Sequence, residues 1–260
     1  MGIRETAFGI LRNSPIMIRF FAKQENIHNG IIQLSAEDAE HIRILRLHPS
    51  ELFIVCNGAG ADHLCRLMAR QGGALSCCAE IIETRPSPGE PTVSCSVYIA
   101  FAKGDRLDYA VQKSVETGAF SIVLFPSERC VSAPGDIAKK ITRLNRISLE
   151  TAKQCGRGII PKVSAVDSFE AAIEQASRAG LPLFFYECEE KSHLKQVLEE
   201  CSRLSCVSIV TGPEGGFEPH EAEYAKSAGM LTVTLGPRIL RCETAPVAAL
   251  TAVMYHTGNL

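Results

Sequence analysis

With 260 residues, 46% of them hydrophobic, and a formal net charge of −2, the chain has the apolar material for one large domain or two modest ones. This balance marks an ordinary soluble protein and argues against strong nonspecific binding of nucleic acid; with no run near the roughly 18 apolar residues of a membrane span and no charged-then-apolar leader, a cytoplasmic location is expected. The 11 cysteines, an odd number, include no C-x-x-C pair and the 7 histidines no H-E-x-x-H, so reduced structural thiols and no metal site are expected.

Residues 1–16 precede a second methionine, Met17, and read as an N-terminal extension. From 17 to 86, short β-like segments ("MIRFFA", "GIIQL", "LFIVCNG", "DHLCRLMA", "LSCCAEII") are punctuated by Gly, Asn and Pro, the pattern of a small barrel. A helical insert, "SAEDAEHIRILRL", interrupts them, with Ser35 as N-cap and Asp38 three positions later. Three prolines and a glycine in "ETRPSPGEP" forbid regular structure and place a linker at 87–91.

From 92 to 260 the period changes. Strand candidates ("TVSCSVYIAFA", "SIVLFP", "LPLFFYE", "CVSIVTG", "LTVTLG") alternate with helical patterns, among them a long helix from about Pro134 to Cys155 and a last one in "TAPVAALTAVMYH". That alternation predicts an α/β domain on a parallel sheet. A dinucleotide fold would carry its glycine-rich turn after the first strand, where "AFAKGDR" has one glycine, and no G-x-x-x-x-G-K-[ST] occurs. The glycines come late instead, in "TGPEGG" and "LGPRILRCETAP", at consecutive strand ends. Together these loops could form one crevice of backbone amides and apolar walls suited to an adenine-containing ligand. The plain alternative is two strand-to-helix connections, with Thr244 capping a helix whose second residue is Pro246.

Four blocks in order, "KGDRLDYAVQKSVETGAFSIVLFPSERC", "ETAKQCGRGIIPKV", "TGPEGGF" and "LGPRILRCETA", resemble the signatures of the RsmE family of 16S ribosomal RNA uracil-N3 methyltransferases, of the SPOUT (trefoil-knot) class. The resemblance runs from Met17 onward and includes "HIRILRL" and the "NGAG" turn. It implies a C-terminal SPOUT trefoil-knot domain, with a parallel sheet and helices on both faces, preceded by a small PUA-like RNA-binding β-barrel. It further implies S-adenosylmethionine as methyl donor, a homodimer, and 16S rRNA within the small ribosomal subunit as substrate. Thr211, Gly212, Pro213, Glu214, Gly215 and Gly216 match the family's cofactor loop, and Leu235, Gly236, Ile239, Leu240 and Arg241 its second loop. The chain departs from the pattern at Thr117, where leucine is usual, at Cys130 and Cys155, where serine is common, and at "LHPSE".

Methylation of uracil N3 needs the imide proton removed and the developing charge on the base stabilised. Arg129 matches the family's arginine after the second strand of this domain and offers donors to a uracil oxygen or a phosphate; a surface ion pair with Glu128 is the plain alternative. Glu116 and Glu214 are the candidate bases, beside substrate-assisted proton loss. Lys139, Arg143, Arg146, Lys153 and Arg157, with the acid Glu150 in line, follow steps of four and three along the long helix, so they predict one cationic face, solvated or on RNA. Gln154 and Arg157, inside a family block, and Arg43 and Arg46, one turn apart in "HIRILR", are the RNA-binding candidates. The competing function is a catalytically inactive RNA-binding ribosome-assembly factor, against which the intact glycine loops argue.

Overall fold

The structure is a computed structural model that describes residues 18–68, 77–131, 135–201 and 203–260; the expected extension at 1–16 lies outside the described residues. Its contacts divide the chain into two compact units, Met1–Glu90 with Ala152–Ile160, and Pro91–Thr151 with Pro161–Leu260.

The first unit is built on β1 (Arg19–Phe21), β2 (Ile27–His28), β3 (Ile31–Gln33), the helix α1 (Ala36–Leu45), β4 (Leu52–Cys56), β5 (Ala61–Leu67) and β6 (Cys78–Pro86). The strands form one sheet in the order β1-β4-β5-β6-β3-β2, a half-barrel with β1 and β2 at its edges. Every neighbouring pair is antiparallel except β1 with β4. Alternate side chains Phe20, Ile32, Phe53, Val55, Cys65 and Ala79 form its core, with Phe20 edge-on to Phe53 at 5.6 Å. Ser35 caps α1 as expected, its hydroxyl accepting the Asp38 amide at 3.0 Å.

Charged groups close the other side of this unit. The Arg19 guanidinium grips Asp62 through both oxygens at 2.8 and 2.9 Å, and Ser87 and Cys56 also donate to Asp62. The segment Ala152–Ile160 is drawn in by Glu90, whose carboxylate accepts Arg157 Nη2 at 2.8 Å and the amides of Gly158 and Ile159 at 2.7 and 2.9 Å. Sequence periodicity alone leaves 152–160 with the second domain, because it ends that domain's long helix.

The second unit contains β7 (Ser94–Ala100), α2 (Arg106–Glu116), β8 (Ser121–Phe125), α3 (Ile137–Cys155, whose last residues belong to the first unit), β9 (Lys162–Ala165), α4 (Phe169–Ala176) and β10 (Leu181–Phe185). It continues through α5 (Leu194–Glu199), β11 (Cys206–Thr211), α6 (Pro219–Ser227), β12 (Leu231–Val233) and α7 (Ala245–His256). All pairs in its sheet are parallel, in the order β12-β10-β11-β7-β8-β9. Tyr98, Ala100, Val123, Phe125, Phe184 and Val210 on one face share a core with α4, α6 and Phe217. The intervening Val97, Ile99, Ile122, Leu124 and Ile209 are also buried, and α7 packs on β7, β11 and α2. A sheet covered on both faces explains why its strands read as continuous apolar runs. β11 lies between β7 and β10, so the C-terminal ends of β10, β11 and β12 stand side by side. Among the described residues no helix is long and apolar enough to cross a membrane, and no cluster of His, Cys, Asp and Glu could hold a metal ion.

Candidate active site

The three loops that leave β10, β11 and β12 enclose a cavity of about 690 Å³ in the second unit. Every residue assigned to the two glycine loops lines it, from Thr211 to Gly216 and at Leu235, Gly236, Ile239, Leu240 and Arg241. Parallel strands place successive loops at one end of the sheet, where the backbone is free to meet a ligand.

The glycine loop is shaped by its neighbours. Gly216 has φ +70°, and an added Cβ would stand 1.8 Å from Glu187 Oε1, which accepts the Phe217 amide at 3.0 Å. Phe217 is fully buried against Phe184, ring centroids 4.4 Å apart, and so pins the end of the loop in the core. A Cβ on Gly215 would meet Arg129 Cβ at 3.0 Å. After the loop, Glu218 caps α6 in a reciprocal box with Glu221, and buried Glu221 also accepts from Ser127 and the Glu128 amide.

Arg129 lines the cavity, but its ion partner is Glu218 rather than Glu128: Nε meets Glu218 Oε1 at 2.6 Å and Nη1 donates to Gly215 O at 3.0 Å. The hydrogen bond that Arg129 donates to Glu218 raises its pKa further. Glu128 pairs instead with His220.

Of the two carboxylates put forward as bases, Glu116 does not line the cavity; it is held by Lys113 at 2.8 Å, one turn away on α2. Glu214 does line it. Its Oε1 accepts the Lys103 amide at 2.9 Å and Arg106 Nη1 at 2.6 Å. Burial opposes its charge, but the Lys103 and Glu214 amides and Arg106 outweigh this and hold its carboxyl below the usual value. A base needs affinity for the proton, so this environment makes Glu214 a tie between the glycine loop and the β7–α2 turn.

The candidates for RNA contact separate. Arg43 and Arg46 are exposed, Arg43 paired with Glu40 at 2.5 Å on the same helix and Arg46 ending α1 at φ 53°. Gln154 is exposed. Arg157, expected on a cationic face, is 3% exposed and locked to Glu90, because α3 has ended at Cys155 and the chain turns inward. On α3, Arg143 is committed to Asp108. Thr117 caps α2, its hydroxyl donating to Lys113 O at 2.7 Å, and the half-buried Cys130 thiol is pushed up in pKa mainly by desolvation.

Four acidic or basic groups that sequence reasoning did not assign also line the cavity: Arg106, Glu187, Arg238 and Glu243. Glu187 ends the run "LPLFFYE", and a third loop after β10 could have been found only by knowing that β10 neighbours β11 and β12.

Residues 89–254 match the family described as RNA methyltransferase domain. Ribosomal RNA small subunit methyltransferase E of Mesomycoplasma hyopneumoniae (strain 232) is 33% identical over 238 residues, covering 90% of this chain and 98% of that protein. Its namesake in Bacillus subtilis (strain 168) is 30% identical over 254 residues, covering 94% of this chain and 98% of that protein. The crystal structure of a ribosomal RNA small subunit methyltransferase E from Neisseria gonorrhoeae bound to S-adenosyl methionine aligns with a TM-score of 0.78 and 28% identity, over 92% of this chain and 98% of that one. Cavity, loops and relatives agree, and the chain belongs to the ribosomal RNA small subunit methyltransferase E (RsmE) family.

Proposed function

We propose that this protein uses S-adenosylmethionine to methylate small-subunit ribosomal RNA, at N3 of one uridine. The observation that carries the reading is the cavity: all the matched loop residues converge on it, within a fold shared with a relative solved bound to S-adenosyl methionine. Its volume lies in the range of small-molecule sites, about 300–1,000 Å³. Its chemistry fits that cofactor. Bare backbone at Gly212, Gly215 and Gly216 admits close approach, Leu235, Ile239 and Leu240 offer apolar walls, and Glu187 and Glu243 supply negative charge for a cationic ligand.

S-adenosylmethionine supplies the methyl group and leaves as a neutral thioether. The chain's part is to position both partners, since well-oriented reactions reach effective molarities of about 10⁵ M or more. Arg129, held by Glu218 at the cavity wall, offers donors to a base oxygen or phosphate.

The finer reading has four parts. A PUA-like RNA-binding module at 17–86 is supported by the half-barrel and by exposed Arg43 and Arg46. A linker at 87–91 leads to a SPOUT domain at 92–260, whose trefoil knot is supported by the insertion of β11 between β7 and β10. A homodimer is supported by α7, which leaves Tyr255 77% exposed beside a buried apolar stripe. The protein would act in the cytoplasm on assembled ribonucleoprotein, with Gln154 among its RNA contacts.

Calorimetry with S-adenosylmethionine and mass mapping of small-subunit RNA from cells with and without the protein test this. Binding together with loss of one methyl on a uridine is expected. No binding of the cofactor would overturn the reading in favour of an assembly factor.

A further inference from the structure

Glu221, the third residue of α6, is a carboxylate only 4% exposed. Taking such a group out of water is costly unless its oxygens are bonded, and here three donors meet them. Oε2 accepts the Glu218 amide at 2.9 Å and the Ser127 hydroxyl at 3.2 Å, and Oε1 accepts the Glu128 amide at 3.1 Å.

Only the first of these bonds belongs to the helix. A carboxylate at this position ordinarily turns back to the amide of the capping residue, and one oxygen suffices for that. The other two donors come from the loop after β8, 94 and 93 positions earlier in the chain. That loop is itself closed by the Cys130 amide on Ser127 O at 3.0 Å, and Ser127 is 8% exposed. One buried carboxylate therefore fixes the β8–α3 loop against the start of α6.

Arg129 stands on the first of these segments, and its ion partner Glu218 on the second. Glu221 holds the amide of Glu128, next to Arg129, and the amide of Glu218 itself. It thus sets the spacing across which Arg129 Nε reaches Glu218 Oε1 at 2.6 Å and Nη1 reaches Gly215 O at 3.0 Å. With those two nitrogens engaged, Nη2 makes no hydrogen bond among the described residues, and it is the end of the guanidinium left for a ligand at the cavity wall. An exposed ion pair between long side chains holds its geometry weakly by itself, so the order of this pair has to come from the backbone beneath it.

Resting on the reading of Arg129 as a donor to the RNA, we infer that Glu221 is a positioning residue for methyl transfer: it lines neither cavity, but it orients Arg129 by binding both segments from which the Arg129–Glu218 pair is built. The role needs a carboxylate. Glutamine at 221 keeps the size of the side chain but has one acceptor oxygen, and its NH2 end would face one of the donors.

The test measures kcat, KM, affinity for S-adenosylmethionine and denaturant unfolding for the full chain, with small-subunit particles from cells lacking the protein as substrate. Glu221→Gln is expected to lower kcat/KM about tenfold, as for a displaced positioning group, with cofactor affinity nearly unchanged. Ser127→Ala deletes one hydroxyl and leaves both amide bonds, so it serves if Glu221→Gln does not fold; about a threefold loss is expected, as for one hydrogen bond. In an Arg129→Ala background either substitution is expected to change kcat/KM by less than about twofold, while its effect on unfolding persists. A merely structural role would multiply the losses in the double variants. That result, a full rate in Glu221→Gln, or cofactor affinity falling in step with rate would overturn the inference. If Arg129→Ala alone methylates at the unaltered rate, the reading of Arg129 has failed, and the inference falls with it.

Discussion

Glu187 Oε1 occupies the place where a side chain on Gly216 would have to go, and from there it holds the Phe217 amide at 3.0 Å. The glycine loop is thus fastened to the end of β10 by a carboxylate, and glycine at 216 is required by this contact as well as by its positive φ. Gly216→Ala is expected to weaken S-adenosylmethionine at least about tenfold, because clash and left-handed backbone together cost roughly 1–3 kcal/mol in the loop. Calorimetry reads this directly, and unchanged affinity would separate the loop's shape from binding.

Gly215 is limited differently, by Arg129 Cβ at 3.0 Å. Gly215→Val should abolish measurable cofactor binding while the fold survives, since a branched side chain must displace Arg129 and the loop together. Circular dichroism and calorimetry on one preparation check both halves.

Arg129→Ala is expected to lower methylation at least about tenfold, the loss of a charge-assisted contact to the base or phosphate, with cofactor affinity reduced far less. Its pair with Glu218 is exposed and screened by solvent, so stability should change little. Arg129→Lys should not rescue, because a single ammonium cannot span Glu218 and Gly215 O as the planar fork does. Parallel loss of rate and cofactor affinity would move Arg129 from the substrate to the loop.

Arg157 and Gln154, neighbours in sequence, should behave oppositely. Arg157→Ala leaves Glu90 without its guanidinium and should cost about 3–5 kcal/mol in denaturant unfolding. Gln154→Ala, at an exposed position, should stay within about 0.5 kcal/mol and express any effect in RNA affinity. A stable Arg157→Ala protein with weakened RNA binding would refute the structural role.

The Asp62 carboxyl is held below its ordinary value: burial works against the charge, but hydrogen bonds from Arg19, Ser87 and Cys56 outweigh it. A depressed folded-state pKa contributes stability above the unfolded value, near 3.8, that is lost as pH falls through the folded value. Asp62→Asn should therefore be less stable at neutral pH and lose part of the acid-side decline. Unfolding midpoints from pH 6 downward compare the two; parallel curves would show that Asp62 does not drive the decline.

Much of this was written locally in the chain. The apolar runs of β7, β8, β10 and β11, the Ser35 cap, the break before Pro91 and the two glycine loops all show in sequence, because burial on a strand and the geometry of a turn leave residue-by-residue traces. The resemblance carried by those loops then pointed to the cavity that the structure closes around them. The sequence did not reveal that β1 pairs in parallel with β4, that β11 inserts between β7 and β10, or that a third loop brings Glu187 to the site. Nor did it reveal that Arg157 turns inward to Glu90, that Arg129 prefers Glu218 to its neighbour Glu128, or that Glu116 lies outside the cavity. The order of strands and the partner of a charge depend on contacts between residues tens of positions apart, and periodicity, which records only which way each side chain faces, carries no information about what it meets there.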